Sequence, residues 1–254
     1  MAQDKPRADG RRAEQMRPVK ITRGFLKYAE GSCLVEVGDT RVICAASLET
    51  GVPKWMEGAG QGWVTAEYAM LPRATHTRSI REGRAGKPPG RTMEIQRLVG
   101  RCLRAVTDLP ALGDRRLVVD CDVLQADGGT RAAAITGGYV ALRDALVSAR
   151  IRDGAGNPPL ADVVVGVSAG IVAGRPVLDL AYAEDSEAAV DMNCAFTGGG
   201  RLVEIQATGE GRPFTDAEFA KLLELARGGA ALLSRLVTQL FERDLPSIRT
   251  HEGT

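Results

Sequence analysis

The chain has 254 residues, 44% of them hydrophobic, and a formal net charge of +1, enough apolar material to bury one sizeable core or two small ones. Its opening, "MAQDKPRADGRRAEQMRPV", lacks the apolar run of a signal peptide, and nothing later offers the roughly twenty apolar residues that cross a bilayer, so a soluble cytoplasmic protein with no membrane partner is expected. The five cysteines stand far apart with no C-x-x-C, which argues against a zinc site and predicts buried, reduced thiols.

The first twenty residues are polar and read as an extension. Residues 33–49, "CLVEVGDTRVICAASLE", form two β-rich runs around Gly38-Asp39 and predict a hairpin, with another strand at 62–71. The segment 81–91, "REGRAGKPPGR", has glycine, proline and basic residues with nothing to bury, and reads as a loop. Periodicity then changes. From Thr92 to Leu109 the residues Ile95, Leu98, Val99, Cys102, Leu103 and Val106 fall on one helical stripe, with Arg97, Arg101 and Arg104 opposite.

Charge is unevenly spread along this half: residues 1–110 hold 19 Lys+Arg against 12 Asp+Glu, and the remainder 14 against 20. Most of the excess runs from Arg73 to Arg104, through Arg78, Arg81, Arg84, Lys87, Arg91, Arg97 and Arg101. Two readings fit. Such a cluster can track a phosphate backbone, or it can be a solvated loop followed by a charged helix face.

A strand at about 116–124 leads into a helix from Thr130 to Arg150, rich in Ala and Gly and suited to close backbone approach. Strand-like runs near 162–173, 176–183 and 190–207 should be antiparallel neighbours. Thr215 and Glu218 in "TDAE" have capping-box spacing before a last helix that runs to Phe241, with a bend expected at Gly228-Gly229. Strands grouped with helices indicate an α+β fold. No internal boundary or tandem repeat stands out, so residues 1–254 read as a single domain with short terminal extensions.

Arg131 poses a chemical question. A helix start exposes unpaired N–H groups and the positive end of the helix dipole, so a cation there is unfavourable unless an anion joins it; a phosphate would resolve the conflict. Histidine-led catalysis has only His76 and the nearly terminal His251 to draw on, with no G-x-S-x-G elbow, and "GGTRAAAITGG" lacks the lysine of a Walker loop. Acidic residues supply the complement. Asp179, Asp185 and Asp191 are each six apart, which would place them on one face of an uninterrupted strand; alternatively "EDSEAA" turns and brings Asp185 and Asp191 together at a bend, or all three are separate solvated carboxylates.

Arginine-rich loops, a helix start prepared for phosphate and a carboxylate pair suggest phosphoryl transfer on a polyanion. The chain resembles the ribonuclease PH family through "EVGDTRVICAAS", "GQGWVTAEYAMLPRATHTR", "GRTMEIQRLVGRCLRAVTDL", "LDCDVLQADGGTRAAAITG", "EDSEAAVDMN" and "ARGG", over roughly residues 17–230. The resemblance implies a β-α-β-α fold, shared with the second domain of a small-subunit ribosomal protein. It implies a phosphate-dependent 3′ to 5′ exoribonuclease that trims the 3′ trailer of precursor tRNA, releases nucleoside diphosphates and runs reversibly as a nucleotidyltransferase. By the same resemblance, Arg91, Gly129, Thr130 and Arg131 would hold inorganic phosphate, the co-substrate. Asp185 and Asp191 would be the catalytic acids, holding Mg²⁺ or protonating the leaving 3′ oxygen. Arg73, Arg78 and Arg81 would serve RNA binding or contacts in a homohexamer built as a trimer of dimers.

Overall fold

A computed structural model describes residues 7–81, 86 and 89–242. Of the basic cluster, Arg84 and Lys87 lie outside the described residues, as do most of the 81–91 segment and the C-terminal tail with His251.

Two sheets carry the fold. The first contains β1 (Val19–Arg23), β2 (Gly31–Val37), β3 (Thr40–Thr50), β4 (Trp63–Met70) and β5 (Arg115–Gln125), in the order β1-β2-β3-β5-β4. The expected hairpin is β2–β3, with Val37 opposite Thr40 across the Gly38-Asp39 turn. β4 runs parallel to β5, which requires a crossover; helix α1 (Gly90–Arg104) and the short helix α2 (Leu109–Leu112) lie on that connection. The second sheet, order β7-β6-β8-β9, is antiparallel throughout, with β6 (Val164–Val172), β7 (Arg175–Leu178), β8 (Val190–Thr197) and β9 (Leu202–Thr208).

Helix α3 (Thr130–Ser148) packs against β2, β3 and β5 on one side and β6 and β8 on the other. Small residues make this possible: a Cβ on Gly31 would lie 2.1 Å from the Ala141 carbonyl oxygen, and one on Gly166 2.7 Å from the Ala132 Cα. Helix α5 (Asp216–Glu242) covers the second sheet through β6, β7 and β8. One apolar cluster joins both sheets and all three long helices. All five cysteines are buried free thiols, as expected. No helix among the described residues is long and apolar enough to cross a membrane.

Several expectations change in detail. Residues 7–18 are not a free extension: they pack on the β7 end, with Arg7, Arg11 and Arg17 buried, and β1 follows directly. The run at 190–207 is two strands, folded back at Thr197–Gly200. The run expected at 176–183 ends as a strand at Leu178, and residues 182 and 183 instead open the one-turn helix α4 (Tyr182–Asp185). The capping box forms, with Thr215 N donating to Glu218 Oε2 at 2.9 Å and Glu218 N donating to Thr215 Oγ1 at 3.3 Å. The last helix then continues through Gly228-Gly229; a Cβ on Gly229 would lie 2.9 Å from Leu178 Cδ1, so packing explains that glycine.

Candidate active site

Arg91, Gly129, Thr130, Arg131, Asp185 and Asp191 line one cavity of about 500 Å³. Two helix starts aim into it. Arg91 and Arg131 lie in the first turns of α1 and α3, which follow Pro89 and Gly129; neither start has a side-chain cap or an acidic residue in its first turn. The positive ends of the two helix dipoles favour an anion. Gly129 has φ +67°, a left-handed conformation that suits glycine at this turn.

Thr130 is buried, and its hydroxyl lies 2.8 Å from the Tyr68 hydroxyl on β4. With Tyr68 as donor, the threonine hydrogen is free to point at an anion. Burial pushes the Tyr68 pKa up, against its bond to Thr130 and the charges of Arg91 and Arg131. Arg131 meets Gln206 Oε1 at 2.9 Å and Glu94 Oε1 at 3.5 Å, which leaves its charge only partly compensated.

Opposite in charge are the carboxylates. Asp185 ends α4 and Asp191 is the second residue of β8. They do not flank a hairpin, because β6 lies between β7 and β8; α4 and the turn after it bring them to the same cavity. Asp179 leaves the series: it sits buried in the β7–α4 link with φ +54°, ion-paired to Arg17 and Arg11. Burial raises the Asp185 pKa, and Arg91 and Arg131 oppose that rise. The Asp191 pKa is pushed up to about 6 by burial and then by the Asp185 charge, against Arg131 and a 2.9 Å hydrogen bond from Asn193 Nδ2. Asp185, Asp191 and Glu210 are the carboxylates that line the cavity; among the described residues there is no group of three or more His, Cys, Asp or Glu side chains placed to hold a metal.

Arg73, Arg78 and Arg81 are exposed and outside the cavity. The basic face of α1 is partly consumed within the chain: Arg101 pairs with Glu204 at 2.6 Å, and Arg104 donates to the Val64 carbonyl at 2.8 Å and lies over the Trp63 ring. Arg97 stays exposed. Residues that pattern reading passed over include Asn193, which shares a strand face with Asp191 by its spacing of two, and Tyr182, whose ring lies 5.7 Å from that of His76 at the cavity.

The chain is similar to known proteins along most of its length. Residues 15–148 match the model of the 3′ exoribonuclease family, domain 1, and residues 162–229 match domain 2. Ribonuclease PH of Methylorubrum populi is 59% identical over 230 residues, 91% of this chain and 97% of that one; ribonuclease PH of Methylobacterium radiotolerans is 57% identical with the same coverage. The fold is similar to that of an archaeal exosome core (TM-score 0.74, 23% identity, 92% of each chain). It is also similar to an Archaeoglobus fulgidus exosome with RNA bound to its active site (TM-score 0.77, 24% identity, 94% and 93% of the chains). Two adjoining family matches and relatives aligned over nearly their whole length establish that the chain belongs to the ribonuclease PH family of 3′ exoribonucleases.

Proposed function

We propose that the cavity binds inorganic phosphate between Arg91, Arg131, the Thr130 hydroxyl and the free N–H groups that follow Gly129, and directs it at the last phosphodiester of an RNA 3′ end. As a ribonuclease PH family member the chain is a phosphorolytic 3′ exoribonuclease of tRNA processing. The observation that carries the site assignment is the meeting of two arginines from two uncapped helix starts with two carboxylates in one cavity. Planar guanidinium forks match phosphate oxygens two at a time, and the arrangement holds the nucleophile before the RNA end arrives.

In the step itself an oxygen of the bound phosphate forms a bond to the terminal phosphorus, and the bond to the 3′ oxygen of the preceding ribose breaks. The products are a nucleoside diphosphate and an RNA one nucleotide shorter. The departing oxygen takes a proton from Asp191, the carboxyl whose pKa near 6 keeps a protonated fraction within reach at neutral pH. Asp185 fits Mg²⁺, which commonly takes one or two carboxylates and keeps waters for the rest, and this leaves the proton on Asp191. The cation, when bound, supplies neutralisation of charge on the transferring phosphoryl oxygens. The His76 and Tyr182 rings offer faces on which a terminal base can stack.

The same reading gives the 3′ trailer of precursor tRNA as substrate, a cytoplasmic location and a homohexamer, with Arg73, Arg78 and Arg81 serving RNA or neighbouring subunits. Residues 1–254 then act as one domain, in line with the apolar cluster common to both sheets. The test is to incubate the chain with RNA bearing a single-stranded 3′ end and to follow nucleoside diphosphates. Release that needs phosphate and reverses with excess diphosphate is expected; release of monophosphates without phosphate would refute the reading.

A further inference from the structure

The cavity joins two parts of the chain that lie far apart in sequence: the β5–α3 turn, which leads into Thr130 and Arg131, and the β7–α4 link, which leads into the helix that ends in Asp185. Arg17 touches both. Its Nε and one terminal nitrogen donate to Asp179 Oδ2 at 2.9 Å and Oδ1 at 2.7 Å, and its backbone N–H donates to Oδ2 at 2.8 Å. The same guanidinium donates to the carbonyl of Asp127 and, at 3.3 Å, to that of Gly128. The side chains of Arg17 and Asp179 are only 5% and 6% exposed.

Two more arginines stand behind this pair. Arg7 donates to the Leu178 carbonyl at 2.6 Å, the Asp179 carbonyl at 2.8 Å and Glu184 Oε1 at 2.6 Å; Arg11 adds a bond to the Asp179 carbonyl at 2.9 Å. Glu184 in turn accepts from Ala181 N at 3.1 Å and so fixes the start of α4, whose last residue is Asp185. Asp179 holds φ +54°, uncommon for a residue with a side chain. Buried guanidinium groups cost stability unless fully paired. These are paired to the backbone and carboxylates of the segment that presents Asp185.

We propose that Arg17 is a positioning residue of the site: its two-pronged pair with Asp179, supported by Arg7 on Glu184, sets the spacing between the Gly129–Arg131 phosphate loop and Asp185. The inference rests on the phosphorolytic reading above. Arg17 touches no substrate in this role; it keeps nucleophile and carboxylate in register, where misplacement of about 1 Å can cost about 100-fold in rate.

The experiment compares the full chain with Arg17→Met and Glu184→Gln. It uses circular dichroism to establish folding, steady-state kinetics with phosphate varied, and filter binding of RNA. Folded Arg17→Met should lose kcat by about 100-fold and need more phosphate, while its RNA affinity is retained; Glu184→Gln should move both constants in the same direction by less. If both variants fold and keep kcat and the KM for phosphate, the inference is overturned. Should Arg17→Met fail to fold, Glu184→Gln decides alone, and unchanged constants there sink it. A parent chain with no phosphate-dependent activity would overturn the functional reading and this inference together, whereas an active parent with unaltered variants removes this inference only.

Discussion

Asp191→Asn should make the protein more stable and nearly inactive at once. The folded carboxyl has its pKa pushed from 3.8 to about 6 by burial and by Asp185. About two units at 1.36 kcal/mol each give about 3 kcal/mol against the charged form, and solvent at its exposed edge leaves about 2–3 kcal/mol. A raised carboxyl pKa means that the folded state holds the proton longer than the unfolded chain. Stability at this position is therefore full below about pH 4 and is lost as pH rises through 6. Asparagine never ionises, and its side-chain oxygen can still accept from Asn193. The gap between variant and parent should open from near zero at pH 4 to its full size by pH 7.5, or about 4–12 °C in Tm for a chain of this size. Urea unfolding across this range, at fixed protomer concentration and without phosphate or divalent cation, measures it. Turnover should fall about 100-fold or more in both directions, because one transition state serves both. A variant no more stable at pH 7.5, or equally more stable at pH 4, would refute the electrostatic argument.

Arg131→Ala should lower phosphorolysis by about 100-fold or more with little loss of RNA retention in a mobility assay, whereas Arg91→Lys, which keeps charge but loses the planar fork, should raise the phosphate requirement; normal phosphate saturation in both would remove the clamp. Tyr68→Phe removes the partner of the Thr130 hydroxyl and should weaken phosphate saturation by roughly fivefold, the equivalent of about 1 kcal/mol, while an unchanged KM for phosphate would show that Thr130 needs no orienting. RNA affinity should fall with salt at a log–log slope of about −0.7 per contacted phosphate. Arg73→Ala should either flatten that slope or convert rings to smaller species in light scattering, and neither change appearing would end any role for Arg73.

What the sequence disclosed and what it withheld follow from the range of each signal. The helix start at Arg131 was legible because Gly129, Thr130 and Arg131 are neighbours, and a cation at an uncapped helix start is an anomaly visible within one turn. The capping box at Thr215 and the β2–β3 hairpin are equally local. The carboxylate side was harder. A spacing of six implies one face only on an unbroken strand, and α4 breaks it, sending Asp185 and Asp191 to the cavity while Asp179 turns under the N-terminal arginines. Arg7, Arg11 and Arg17 looked like part of a polar extension because the carboxylates and carbonyls that bury them lie more than 100 residues away. The parallel pairing of β4 with β5 was likewise silent, since direction depends on the path of the α1 crossover and not on the strand's own alternation.

The burial of α3 between two sheets has a kinetic corollary. Amide hydrogens in the middle of that helix, around Ala134 to Leu142, are covered on both sides, so they reach solvent only when the sheets part, and their exchange with deuterium should report the global unfolding free energy. Exposed segments beside the cavity, His76 to Ile80 and Glu187, need no such event. An opening that lets a shortened RNA slip forward and a diphosphate leave should be drawn from those edges, with the helix that presents Arg131 exchanging last.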